Sequence, residues 1–194
     1  MRATHKQHEH AWKSAREVEA ASLRILAPYL NGQDAGQWVL FPDAPFARRL
    51  QQYGDGYLYS RSQGIVWNVE HKADNTTHPN LYLETWSNRS REKRGWLYTS
   101  RADVLMYHFL KRDDLWIYSM PELQRWAIER GGINRDGLKE VPQNKRAQLN
   151  DTWGVPVPVS LLKRQIRTVL VHPQRRTFEA FKLEPTADAA VRFL

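Results

Sequence analysis

The spacing of apolar residues divides the chain into helices and short strands. Apolar side chains recur at near-helical intervals from about residue 8 to residue 30, where Asn31 and Gly32 end the predicted helix. Shorter runs of strand-forming residues follow, and Gly, Pro or clustered charges separate them. The predicted strands lie within residues 53–60, 64–73, 80–88, 104–110 and 114–120, after a short apolar piece at 37–45.

The segments between these strands predict how they are joined. "RSQG" (61–64) and "KRDD" (111–114) each read as the turn of a hairpin. A second helix is expected over 121–130, with Pro in its first turn and two Gly residues after it. The pattern of residues 95–103 is ambiguous, and a helical turn is one interpretation of it. Residues 133–152 are polar and predict a loop. The order predicts an α/β or α+β fold, with one mixed central sheet flanked by helices, in a single domain covering 1–194.

Charge and composition add an expectation about partners. Lys and Arg total 29 against 21 for Asp and Glu, which gives a net charge of +8. Such a field attracts polyanions, and eight Trp and eight Tyr are interleaved with the cations. Two interpretations fit this composition: a surface that contacts nucleic acid, and an ordinary basic surface over an aromatic core. The absence of Cys excludes thiolate catalysis and Cys-type metal sites. With no secretory signal and no apolar run of roughly 18 residues, we expect a cytoplasmic protein without membrane contact.

Candidate chemistry centres on "NVEHKAD" (68–74). Glu70 and Lys72 are two apart in a predicted strand, so their side chains point to the same face. A triplet of acid, any residue and Lys arises easily by chance, and a solvated surface pair is one reading. Asp55, however, lies at the start of the preceding predicted strand, and the hairpin would bring it beside Glu70. Because Asp55 stands between two Gly residues, a role as a turn former is the alternative interpretation. Two carboxylates and an ammonium together favour a divalent cation and phosphodiester hydrolysis.

The pattern D-x14-E-x-K formed by Asp55, Glu70 and Lys72 resembles the PD-(D/E)XK, or restriction-endonuclease-like, nuclease superfamily. The resemblance covers about residues 10–130 and leaves 131–194 as a C-terminal extension. It implies an αβββαβ core, with the first acid and the E-x-K on successive strands. The family's proline before the first acid is replaced by Gly54.

The resemblance also assigns roles to individual residues. Asp55 and Glu70 would bind Mg²⁺ or Mn²⁺ together with the backbone carbonyl of His71, and Lys72 would be the catalytic lysine. An acid from the N-terminal helix is a further expected ligand, for which we favour Glu17 over Glu19. Glu84, on the next strand, is another candidate ligand.

The basic residues near this site predict the substrate. Arg89, Arg91, Lys93 and Arg94 form a charged loop that would clamp a nucleic-acid backbone, and Arg101 would contact phosphate. The resulting hypothesis is a Mg²⁺-dependent deoxyribonuclease that acts on DNA, including branched or single-stranded DNA, and that can work as a homodimer. A catalytically inactive nucleic-acid-binding module of the same fold, an RNA-binding or RNA-processing protein, and a protein that binds an acidic partner are the alternatives.

Overall fold

A computed structural model describes residues 5–31, 38–42, 54–60, 64–135, 137–143 and 151–181. These residues form a mixed α+β structure with two sheets, one long helix and several short ones. The helices are α1 (His5–Asn31), α2 (Trp96–Thr99), α3 (Met120–Gln124) and α4 (Val159–Leu162). The strands are β1 (Trp38–Pro42), β2 (Gly56–Ser60), β3 (Ile65–Asp74), β4 (Asn80–Asn88), β5 (Lys93–Arg94), β6 (Val104–Phe109), β7 (Asp114–Ser119), β8 (Val141–Pro142), β9 (Trp153–Pro158), β10 (Thr168–His172) and β11 (Thr177–Phe181).

The larger sheet has the strand order β1-β2-β3-β6-β7-β10-β11. Both predicted hairpins are present, because β2 pairs with β3 and β6 pairs with β7 in antiparallel fashion. The turn residues 61–63 of the first hairpin lie outside the described residues. β3 and β6 run parallel, with Glu70 opposite Leu105 and Lys72 opposite Tyr107. Parallel neighbours need a long crossover, and here it contains β4, β5 and α2. The prediction of a mixed sheet is therefore confirmed.

A second sheet, with the order β5-β4-β9-β8, differs from the single sheet expected from the sequence. The strand predicted over 80–88 is present as β4, but it pairs with β9 instead of joining the larger sheet. Its alternation explains this placement, since Leu81 and Leu83 are fully buried while Tyr82 and Glu84 are only partly covered. A strand with one apolar face covers a core, whereas a central strand is apolar on both faces.

Two apolar clusters lie on opposite faces of the larger sheet. One contains Leu26 and Leu30 of α1 with Val69 and Met106 of the sheet. The other contains residues of β4 and β9 with Leu105 and other side chains of the sheet, and α2 and α3 contribute to it. Because strand side chains alternate, Val69 and His71 point toward α1, whereas Glu70 and Lys72 point toward the second sheet. The candidate acid and lysine of β3 therefore lie between the two sheets.

Several short elements replace predicted loops or longer helices. The ambiguous 95–103 segment contains α2, and the charged 89–95 segment contains a 3₁₀ turn followed by β5. The helix expected over 121–130 is α3 followed by a wider π-type turn at Arg125–Glu129, and Gly131 ends it with a positive φ of 62°. The polar 133–152 segment contains β8. No described helix is both long and apolar enough to cross a bilayer.

Candidate active site

Gly54 allows Asp55 to approach β3 closely. Its φ of 127° is a conformation that side chains rarely adopt, and a Cβ there would lie 2.4 Å from the carbonyl oxygen of Val69. Asp55 N–H donates to that carbonyl at 2.6 Å, and Asp55 Oδ2 accepts from His71 N–H at 3.0 Å. Proline fixes φ near −65°, so it could not occupy this position. A glycine at this position therefore permits a close backbone approach that proline would prevent.

Lys72 Nζ joins the two carboxylates that the sequence singled out. It lies 2.7 Å from Glu70 Oε1 and 3.1 Å from Asp55 Oδ2, and it donates to the backbone carbonyl of His71 at 3.1 Å. Glu70 Oε1 and Asp55 Oδ2 contact the same nitrogen atom, so the two carboxylates lie close to each other. The structure brings Asp55, Glu70, Lys72 and the His71 carbonyl to one place.

Burial differs across this group and sets its electrostatics. The side chain of Glu70 is 7% exposed, that of Lys72 is 24% exposed, and that of Asp55 is 45% exposed. Burial alone would lower the pKa of Lys72, but the carboxylates of Glu70 and Asp55 outweigh it and raise that pKa above its usual value. Ser100 Oγ also donates to Glu70 Oε2 at 2.8 Å. Lys72 is consequently a permanent cation between two acids.

Two more carboxyl groups lie within electrostatic range of this centre. Burial raises the pKa of Glu84 to about 7, and the negative charge of Glu70 raises it further, while Lys72 and the N–H of Trp96 oppose the shift. Burial is also the main cause that raises the pKa of Glu19, and Asp55 and Glu70 add to it against the opposing effect of Lys72. Both acids therefore hold their protons more tightly than free carboxyl groups do.

On α1, Glu19 is the acid that interacts electrostatically with this centre, whereas the sequence favoured Glu17 as a ligand. Glu17 is exposed, whereas Glu19 is partly covered and interacts with the charges of Asp55 and Glu70. Helix geometry explains the difference, because residues three and four apart share a face. Ser22 and Leu26 are buried against the sheet, and Glu19 lies three residues before Ser22 on the same side of α1.

The donor atoms at this centre suit a hard divalent cation in kind. Asp55, Glu70 and the His71 carbonyl supply three oxygens, and Mg²⁺ takes one or two carboxylates with waters and phosphate oxygens. These oxygens lie 2.7 to 3.1 Å from Lys72 Nζ, whereas oxygen ligands lie about 2.1 Å from Mg²⁺. The three oxygens would therefore have to move closer together to bind the ion. Within the described residues, no group of three or more His, Asp or Glu side chains is arranged to hold a metal ion.

The imidazole of His71 lies on the opposite face of β3, where the sequence offered no role for it. Ser22 Oγ lies 2.8 Å from His71 Nε2 and 2.8 Å from His108 Nδ1, and all three residues are buried. Burial lowers the pKa of His71 to about 3 and that of His108 to about 4, so both rings are neutral. The Ser22 hydroxyl therefore bridges two neutral imidazole rings. This bridge attaches α1 to β3 directly behind Glu70 and Lys72.

Four of the predicted basic residues lie within residues 89–94, in β5 of the second sheet or directly before it, and Arg101 lies between α2 and β6. Arg89, Arg91, Lys93, Arg94 and Arg101 are all exposed. Arg89 stacks over Trp153 with its Cζ 4.4 Å from the ring centroid, and it pairs with Glu140 at 3.4 Å. Arg94 stacks over Trp86 and Tyr98. The sequence showed that aromatics and cations were interleaved, but it did not show which side chains meet.

No family model, curated protein or solved structure matches this chain. The functional assignment therefore rests on the residues and their geometry.

Proposed function

We propose that this chain is a divalent-metal-dependent nuclease of the PD-(D/E)XK type that hydrolyses phosphodiester bonds in DNA. The observation that carries the proposal is the convergence of the Asp55 and Glu70 carboxylates and the His71 carbonyl around the ammonium of Lys72. The order of α1, then β1 to β3, then α2 and β6 supports it, since it follows an αβββαβ order with β4 and β5 inserted.

The charge balance of the centre also supports the proposal. Glu19, Asp55, Glu70 and Glu84 are four carboxyl groups with electrostatic links to a single ammonium. Burial is the main cause that raises the pKa values of two of the four, Glu19 and Glu84, and the negative charge of Glu70 adds to it in both. A divalent cation bound near these acids would oppose both effects and favour their ionised forms.

Each residue then has a distinct role. Asp55 and Glu70 would hold Mg²⁺ or Mn²⁺ with the His71 carbonyl, and Glu19 or Glu84 would complete the ligand set. When bound, the ion polarises the phosphoryl oxygen and lowers the pKa of a water molecule. Lys72, held by Glu70, donates a hydrogen bond that positions the attacking water and stabilises negative charge at the phosphorus. Ser100 fixes the second oxygen of Glu70.

A cleavage assay tests this assignment. Purified protein is incubated with Mg²⁺, Mn²⁺ or EDTA and with duplex, single-stranded or branched DNA, and products are separated on denaturing gels. We expect metal-dependent cleavage that falls by about a hundredfold or more in Asp55→Asn, Glu70→Gln and Lys72→Met. Glu129→Gln, which removes an exposed acid after α3, is the matched control and should cleave normally.

Two results would reject the assignment. Full activity of the Asp55 or Lys72 variant would refute the mechanism. Binding of DNA with no cleavage under any metal condition would indicate the inactive binding module instead. Cleavage of RNA in preference to DNA of the same sequence would change the substrate while leaving the mechanism in place.

A further inference from the structure

Trp86, Arg94 and Tyr98 form a cluster of two aromatic rings and one guanidinium group, the aromatic–arginine cluster. Arg94 lies directly opposite Trp86 in the β4–β5 pair. Its Cζ is 4.0 Å from the ring centroid of Trp86 and 5.0 Å from that of Tyr98. These contacts hold a flexible side chain in place over two planar surfaces.

The cluster remains accessible to a ligand. Tyr98 is 36% exposed, and it is the one exposed aromatic side chain in the part of the chain whose burial the structure describes. Arg94 is exposed as well, and among the described residues it forms no ion pair with a carboxylate. Arg89, by contrast, is paired with Glu140. The charge of Arg94 and the part of the Tyr98 ring that Arg94 does not cover are therefore both accessible to solvent.

The helix α2 places this cluster beside the candidate active site. Trp96 N–H, at the start of α2, is 3.4 Å from Glu84 Oε1. Ser100, directly after α2, donates to Glu70. Four helical residues span about 6 Å, so the backbone of Tyr98 is within a few ångströms of Trp96 and Ser100, the residues that contact the two acids. Gly95 secures the arrangement, because a Cβ there would lie 2.3 Å from the Glu84 carbonyl oxygen.

We propose that the aromatic–arginine cluster binds an unpaired nucleotide next to the scissile phosphate, so that the preferred substrate contains single-stranded nucleic acid. The base would stack on Tyr98, and Arg94 would hold the adjoining phosphate. A base presents its flat face only when it is outside a duplex, whereas a guanidinium group suits phosphate in any strand. This inference rests on the proposed nuclease function for the reaction, but the binding it describes can be measured without cleavage.

Fluorescence anisotropy with labelled DNA in EDTA tests this binding. The probes are a single strand of mixed sequence and a blunt duplex of the same length. We expect the wild type to favour the single strand. Tyr98→Leu should weaken single-strand binding about tenfold and leave duplex binding unchanged, while Tyr98→Phe, which retains the ring, should bind normally.

The role of Arg94 has its own control. Arg94→Gln should weaken single-strand binding and reduce the salt slope by about one, because one phosphate contact is lost. Arg176→Gln removes the same charge from the turn between β10 and β11, at the far edge of the larger sheet, and should reduce binding less. Thermal unfolding of each variant verifies that it is folded.

The outcomes separate this inference from the nuclease proposal. Two results for Tyr98→Leu would overturn the inference, even if Asp55-dependent cleavage is found. The variant would bind the single strand as tightly as the wild type does, or it would lose single-strand and duplex binding equally. Selective loss of single-strand binding supports it, and does so even if no metal produces cleavage, in which case the nuclease proposal alone fails.

Discussion

Replacing Lys72 by Met should destabilise the protein, and a divalent cation should reverse much of the loss. The substitution removes the ammonium that contacts Glu70 at 2.7 Å and Asp55 at 3.1 Å, and so leaves two neighbouring carboxylates without a cation. Removing one partner of a buried ion pair costs about 3–5 kcal/mol. Asp55 is 45% exposed, so solvent screens part of its charge and we expect a loss of about 2–3 kcal/mol.

The pH of the measurement follows from the direction of the pKa shift. The folded-state pKa of Lys72 is raised, so its ion pairs stabilise the fold fully below the unfolded value of about 10.4 and are lost only as the pH rises through the folded value. At pH 8 the contribution is complete. Free Mg²⁺ at a hundred times its dissociation constant should then return about 2.7 kcal/mol to the variant.

Urea unfolding followed by tryptophan fluorescence measures both effects, with Mg²⁺ or EDTA in parallel samples. Lys139→Met is the matched control, since Lys139 is exposed and distant in sequence from the site. A loss below about 0.5 kcal/mol in Lys72→Met would show that the ammonium does not hold the acids together. Absence of Mg²⁺ stabilisation in Lys72→Met would refute the expectation that the Asp55 and Glu70 carboxylates bind a divalent cation.

Three further substitutions test other parts of the site. In EDTA, Glu84→Gln should stabilise the fold by about 2–3 kcal/mol at pH 8 and hardly at pH 4. The pKa of Glu84 rises from 4.5 to about 7 on folding, so the wild-type fold loses stability as the pH increases between those values. Urea unfolding across that pH range measures the difference between the two proteins. Ser22→Ala should cost about 1–3 kcal/mol by leaving two buried imidazole nitrogens without their partner, and thermal and urea unfolding both report this loss. Gly54→Ala should destabilise the protein and abolish cleavage, whereas Gly64→Ala, also at positive φ but with open space around its Cβ, should lower stability only modestly and retain cleavage.

The central part of the candidate site was predictable because it depends on local rules. Strand alternation places Glu70 and Lys72 on one face, and the hairpin between β2 and β3 brings Asp55 beside them. Both rules operate over fewer than twenty residues of sequence, within the range where periodicity and turn chemistry are informative.

The remaining parts depend on contacts between distant segments. Nothing in the alternation of β4 indicates that it pairs with β9, about 70 residues later, so the second sheet could not be expected. For a similar reason, the sequence did not indicate that Glu19 interacts electrostatically with Asp55 and Glu70. Which face of α1 meets the sheet is decided by Ser22 and Leu26, and the partners of Ser22 are His71 and His108.

The pairing of β4 with β9 has a consequence for synthesis of the chain. Glu84 lies on β4, and residues 153–158 hold β4 in register. A nascent polypeptide that ends at residue 150 already carries Glu19, Asp55, Glu70, Lys72 and Glu84, yet it lacks the strand that anchors the last of these. Under the proposed function, Glu84 would therefore join the other acids only after β9 has been synthesised and has paired with β4.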